Sequence, residues 1–140
     1  MKSRLLFITL IAFALSACAP GKFAVSDPWA RPTSARGTGA AYLIIENPIA
    51  QADTLLSATS DVAEIIELHK TVTTQGDVMQ MIQMERIVIP AHSKTEFKPG
   101  GSHIMLINLK RDLKTGDTFT LTLSFQNAGE FNLAVKVQDR

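Results

Sequence analysis

Between Phe119 and Phe125 the chain alternates strictly: Phe119, Leu121, Leu123 and Phe125 are large and apolar, while Thr120, Thr122 and Ser124 are small and polar. A period of two gives an extended strand one buried and one wet face, whereas a helix would scatter the same residues around its circumference. Further short runs, most of them rich in β-branched or large apolar residues, predict strands over Tyr42–Glu46, Leu55–Ala58, Ala63–His69, Val78–Met84, Ile87–Ile89, Thr95–Phe97, His103–Leu109 and Phe131–Val137. Turn signals recur between them at Asn47-Pro48, Gly76-Asp77, Pro99-Gly100-Gly101, Gly116-Asp117 and Ala128-Gly129, and Thr71 to Asp77 reads as a polar turn after a strand that ends at His69. No stretch sustains helix caps and a 3.6-residue period for three turns. The pattern predicts an all-β fold, an antiparallel barrel or sandwich with Greek-key connections.

The amino-terminal residues are of another kind. Lys2 and Arg4 precede an apolar run from Leu5 to Leu15, and the small residues Ser16 and Ala17 lead into Cys18. That run falls short of the roughly 20 residues that span a bilayer, so it reads as a secretory signal peptide. Leu15-Ser16-Ala17-Cys18 looks like the lipobox cut by bacterial lipoprotein signal peptidase. The expected organisation is a signal peptide over 1–17, a lipidated tether over 18–24 and a single β-domain over 25–140, held at the periplasmic face of a bacterial membrane through Cys18. Cys18 is the only cysteine and cannot form an internal disulfide. Acylation accounts for both its presence and its solitude, where an ordinary secreted protein would carry a lone free thiol in an oxidising compartment. Loss of Lys2 and Arg4 with the leader takes the formal net charge from +1 to −1, which leaves no bulk charge to hold nucleic acid.

Beyond the initiator, the methionines are Met79, Met81, Met84 and Met105, and His69 and His103 lie close to them in sequence. Met79 and Met81 are two apart on one predicted strand and share a face, and so do His103 and Met105 on another, with Ile104 pointing the opposite way. A hairpin can bring His69 against the first pair. Imidazole nitrogen suits copper, and neutral thioether sulfur selects Cu(I) over hard ions such as magnesium or calcium. A blue-copper electron carrier needs a thiolate, which the domain lacks. The competing reading is that the methionines fill an irregular core and the histidines are structural or solvated. From the residues alone, Met79 and Met81 are equally placed to reach a metal.

Read as one string, the cluster is His69, Lys70, ten residues, Met81, twenty-one residues, His103, one residue, Met105. This resembles the periplasmic copper chaperone family called PCuAC, whose pattern is a histidine often followed by methionine, then the same three gaps. The resemblance extends over Asp27-Pro28-Trp29-Ala30-Arg31, Ala41-Tyr42-Leu43-Ile44-Ile45-Glu46-Asn47, Glu67-Leu68-His69 and Lys98-Pro99-Gly100-Gly101-Ser102-His103-Ile104-Met105-Leu106. It implies a cupredoxin-like β-barrel with a Cu(I) site made by His69, Met81, His103 and Met105 at one exposed end, with Met79 left as an auxiliary candidate. It also implies delivery of copper to a client such as the binuclear copper centre of a haem–copper oxidase, together with a Sco-type thioredoxin-like protein. Lys70 stands where many members carry methionine, and no His/Met-rich tail follows Arg140, which argues against a separate Cu(II) site.

His92, in Pro90-Ala91-His92-Ser93, reads as a solvated turn residue; Met84 and Trp29 read as packing; Lys110, Arg111 and Lys114 read as a solvated face. The sequence holds no Gly-rich phosphate loop, no Gly-x-Ser-x-Gly elbow and no His-Glu-x-x-His, so a binding protein is expected and not an enzyme. A copper-storage or copper-resistance lipoprotein and a metal-free adhesion or scaffold sandwich are the alternative functions. If the lipid sits on Cys18, Cys18→Ser should release the protein from membranes without detergent and leave its folded domain unchanged. An unaltered detergent requirement would contradict the anchor.

Overall fold

The computed structural model describes residues 21–140; the predicted signal peptide, the lipobox and Cys18 lie outside the described residues. Ten strands follow one another with no helix among the described residues: β1 (Ala24–Ala30), β2 (Gly39–Asn47), β3 (Asp53–Thr59), β4 (Ala63–Thr73), β5 (Met79–Met84), β6 (Ile87–Ile89), β7 (Ser93–Phe97), β8 (Ser102–Leu109), β9 (Thr118–Phe125) and β10 (Gly129–Val137). They form one sheet in the order β5-β4-β8-β7-β2-β1-β10-β9-β3-β6. β2 also pairs β8 through its first residues, after β7 has ended, so the sheet curls around a single core in a nearly closed barrel. Most pairings are antiparallel, whereas β1–β10 and β7–β8 are parallel. The described residues are all-β, as expected.

Alternation decides which side chains enter the core. Phe119, Leu121, Leu123 and Phe125 of β9 are all buried, as are Ala41, Leu43 and Ile45 of β2, Ile104 and Leu106 of β8, and Val135 and Val137 of β10. The intervening residues face outward, and on β2 and β8 this outward set includes Tyr42, His103 and Met105.

Two sequence expectations require correction. β1 was not among the predicted strands, because Asp27-Pro28 interrupts it and both residue types disfavour strands. The chain absorbs them as an irregularity: the pairing with β2 shifts register between Ser26 and Trp29, and Asp27 takes a positive φ of 49°. Phe23, just before β1, already packs on the core. The second correction is at β4, which does not stop at His69. Thr71, Val72 and Thr73 are β-branched and continue the strand, and the turn is confined to the segment where Val78 accepts hydrogen bonds from the Thr74 amide and hydroxyl.

The end of the sheet where β2 finishes is tied by two buried polar side chains. Asn47 donates to the carbonyls of Gln51, Ile89 and Pro90 and accepts from the Ile49 amide. Asp53 accepts from the amides of Thr54 at 2.7 Å, Asn127 at 3.0 Å and Ala128 at 2.8 Å, fastening β3 to the β9–β10 turn. Burial pushes the Asp53 carboxyl up, but these amide donors outweigh it and hold the group below its ordinary value of 3.8. A depressed carboxyl stabilises the fold above its unfolded pKa and loses that contribution as pH falls through the folded value. Asp53→Ala should therefore cost about 1–3 kcal/mol at neutral pH, because it strands buried amides. Asp53→Asn should flatten the acid limb of stability in urea unfolding followed from about pH 6 to about pH 2. An acid limb identical to that of the unmodified protein would contradict this role.

Candidate metal centre

The outward face of three neighbouring strands gathers the candidate residues. On β4 and β8, His69 stands directly opposite His103, and Glu67 opposite Met105. On the other side of β4, edge strand β5 places Met81 opposite Thr71, with Gln83 opposite His69. Directly paired residues share a face, and diagonal neighbours two positions along lie about 7–8 Å away, within reach of long side chains. His69, Met81, His103 and Met105 thus project to one side, while Leu68 and Ile104, paired with each other, are buried on the other.

Hydrogen bonding distinguishes the two ring nitrogens of each histidine. His103 is 4% exposed, and its Nδ1 lies 3.0 Å from the Gly101 carbonyl, which accepts a hydrogen bond from the ring N–H. That leaves the lone pair on Nε2. The same carbonyl accepts the Thr71 amide at 3.1 Å. Its position is set by the turn Pro99-Gly100-Gly101, where Gly100 takes a φ of +77° that few side-chain-bearing residues tolerate. His69 has Nε2 at 2.8 Å from Glu67 Oε2, and its Nδ1 is buried without any hydrogen-bond partner. An unpartnered buried polar atom in a native fold calls for a physical reason, and a metal-ligating role is one. The two imidazole rings lie 5.8 Å apart between centroids.

Aromatic side chains wall one flank. Tyr42 lies 6.5 Å from the His103 ring and packs at a tilt against Trp29, 4.6 Å between centroids, and the Arg140 guanidinium lies over the Trp29 ring at 5.3 Å while pairing with Asp27. Burial pushes the Tyr42 hydroxyl above its ordinary value, against the opposing charge of Arg31. In front lies an open cleft of about 440 Å³, lined by Tyr42, Thr71, Met81, Gly100, His103 and Met105 among others. Among the described residues no group of three or more His, Cys, Asp and Glu side chains converges, so a hard-ion cage or a thiolate zinc site is not built here. The outward face offers instead two imidazoles and two neutral thioethers, of which Met81, His103 and Met105 line the cleft while the His69 ring lies beside that of His103.

The remaining sequence candidates fall elsewhere. Met79 is opposite Thr73, one pairing step further from His69 than Met81, and its methyl group lies over Gly100. Met84 packs against the core, as expected from its opposite parity. His92 is an exposed turn residue with a φ of 49°. Sequence reading did not single out Glu67 or the Gly101 carbonyl. The parity of Glu67 with His69 was visible, but its hydrogen bond depends on side-chain geometry.

Comparison with known proteins places this architecture. The fold is the cupredoxin-like β-domain of PCuAC proteins. The copper-bound PCuAC domain from PmoF2 superposes with a TM-score of 0.71 at 24% identity, over 87% of this chain and 97% of that one. The apo PmoF2 PCuAC domain gives a TM-score of 0.68 at 26% identity, over 86% and 92% of the two chains. The CuI form of DR1885 from Deinococcus radiodurans gives 0.61 at 28% identity, over 81% and 78%. The family model described as "Putative lipoprotein LpqE-like" matches residues 23–137, and the chain belongs to that family. "Putative lipoprotein Lxx21020" of Leifsonia xyli subsp. xyli (strain CTCB07) is 36% identical over 128 residues, covering 89% of this chain and 76% of that protein. Protein RP573 of Rickettsia prowazekii (strain Madrid E) is 36% identical over 116 residues, covering 79% of this chain and 64% of its own length.

Proposed function

We propose that this protein is a copper(I) chaperone of the bacterial cell envelope, tethered to the periplasmic face of a membrane by lipid on Cys18, which holds one Cu(I) between His69, Met81, His103 and Met105. The observation that carries this reading is the convergence of two imidazoles and two thioethers on one sheet face, with the Nδ1 of His69 buried and unpartnered. Two nitrogen and two thioether donors form a neutral, soft set that favours Cu(I) over hard ions. The copper-bound PmoF2 domain and CuI-DR1885 share the fold, and the matching family model and the Leifsonia relative are described as lipoproteins, which supports both parts of the reading.

The client follows from the family resemblance: a copper-requiring partner such as the binuclear copper centre of a haem–copper oxidase, with a Sco-type thioredoxin-like protein as co-worker. One feature favours a carrier over a store. Met81 lies on an edge strand and is 61% exposed, so a competing ligand can approach the bound ion from that side.

An anaerobic Cu(I) titration against a colorimetric chelator tests the assignment. The unmodified protein should bind one equivalent, and His103→Ala should abolish competition with the chelator. Met81→Leu conserves volume at little cost to the fold, typically under about 1.5 kcal/mol. It should weaken binding by at least about tenfold, or roughly 1.4 kcal/mol. Met79→Leu should change affinity much less. A silent Met81→Leu beside a damaging Met79→Leu would overturn the ligand set, and absence of Cu(I) binding by the unmodified protein would overturn the function.

A further inference from the structure

We propose that Glu67 is a positioning residue for copper: its carboxylate fixes the tautomer of His69, so that His69 binds Cu(I) through Nδ1 while His103 binds through Nε2. This rests on the copper reading above and adds a residue and an atomic assignment to it. Glu67 and His69 are two apart on β4 and therefore share the outward face. The contact of 2.8 Å between Glu67 Oε2 and His69 Nε2 requires a proton on that nitrogen, because a carboxylate can only accept. In a neutral ring the lone pair then belongs to Nδ1, the atom that is buried without a partner. At His103 the arrangement is reversed. Its Nδ1 donates to the Gly101 carbonyl at 3.0 Å and Nε2 is left free.

The two histidines are thus held in opposite tautomers by two different acceptors. A backbone carbonyl fixed by a glycine turn holds one, and an ionisable side chain that substitution can remove holds the other. Metal-bound imidazoles commonly donate their second N–H to a carboxylate or carbonyl, which sets ring orientation and raises the basicity of the ligating nitrogen. Glu67 has a further electrostatic role. Two imidazoles and two thioethers bring no charge, so bound Cu(I) would leave one positive charge on a partly buried face. The Glu67 carboxylate, opposite Met105 in the β4–β8 ladder, is the anion in contact with that donor set and offsets it.

Because Cu(I) is diamagnetic, long-range ¹H–¹⁵N correlation spectra of the imidazoles read the assignment directly, in the apo protein and after one equivalent of Cu(I) under anaerobic conditions. In the apo protein His69 should carry its proton on Nε2 and His103 on Nδ1, and Cu(I) should move His69 Nδ1 and His103 Nε2. Glu67→Gln keeps an oxygen that can accept the Nε2–H and should preserve the His69 pattern. Glu67→Ala should abolish the tautomer preference of His69, leave that of His103 intact as evidence of an undisturbed fold, and weaken Cu(I) binding by about 10- to 100-fold. Movement of His69 Nε2 on loading, or a Glu67→Ala variant with unchanged tautomer and unchanged affinity, would overturn the proposal. If Cu(I) moved no nitrogen of either histidine, the copper reading itself would fail, and this proposal with it.

Discussion

The ladder between β4 and β8 carries both halves of the molecule at once. In a single register, Leu68 faces Ile104 on the inner side and His69 faces His103 on the outer side. A slip of β4 by one residue would turn Leu68 out to solvent and drive His69 into the core, away from His103. The hydrophobic effect that selects the register therefore also aligns the donor set, with no separate interaction needed to bring the histidines together. Where the ladder meets the Pro99–Gly101 turn, the Gly101 carbonyl receives both the Thr71 amide and the His103 ring. One backbone atom thus joins strand pairing to histidine orientation.

This coupling explains why so much was legible from sequence. Period-two patterning reports the face of a residue, so the parity of His103, Ile104 and Met105 was sufficient to place two donors outside and one aliphatic side chain inside. Parity says nothing about how far a strand continues. His69 read as a strand end because the threonines after it look polar, whereas their β-branched side chains favour extended backbone, which continues β4 and places Met79 beyond Met81 relative to the histidines. That extension bears on the choice between the two methionines, which residue parity alone left open. β1 was missed for a related reason: Asp27-Pro28 breaks the local preference, and only the register shift against β2, a long-range feature, accommodates it.

The two ends of the sheet are stabilised by different means. At the end where β2 finishes, Asn47 and Asp53 are buried with their hydrogen-bonding capacity used on backbone groups, which makes that end a fixed frame. At the other, the histidines present nitrogens that no protein group satisfies or that remain free after one bond. Unpartnered buried polar atoms cost stability, and folds generally remove them unless a function keeps them. The contrast within one small domain argues that the unpartnered Nδ1 of His69 is not a general looseness of packing.

The donor set is also graded in accessibility, and this bears on transfer. His103 is 4% exposed and the His69 side chain 14%, whereas Met81 on the edge strand is 61% exposed. The imidazoles lie low on the sheet face with defined partners at one nitrogen each, so on the proposed reading their geometry would persist while a thioether on a peripheral strand exchanged. On the proposed reading, an incoming client ligand would displace Met81 first, and the ion would pass through a shared intermediate still held by the histidines. Both thioethers are neutral, so replacing one with another neutral donor changes no charge at the site. The energetic demand of exchange then falls on geometry and not on separating opposite charges, a condition under which a tightly held ion can still leave quickly.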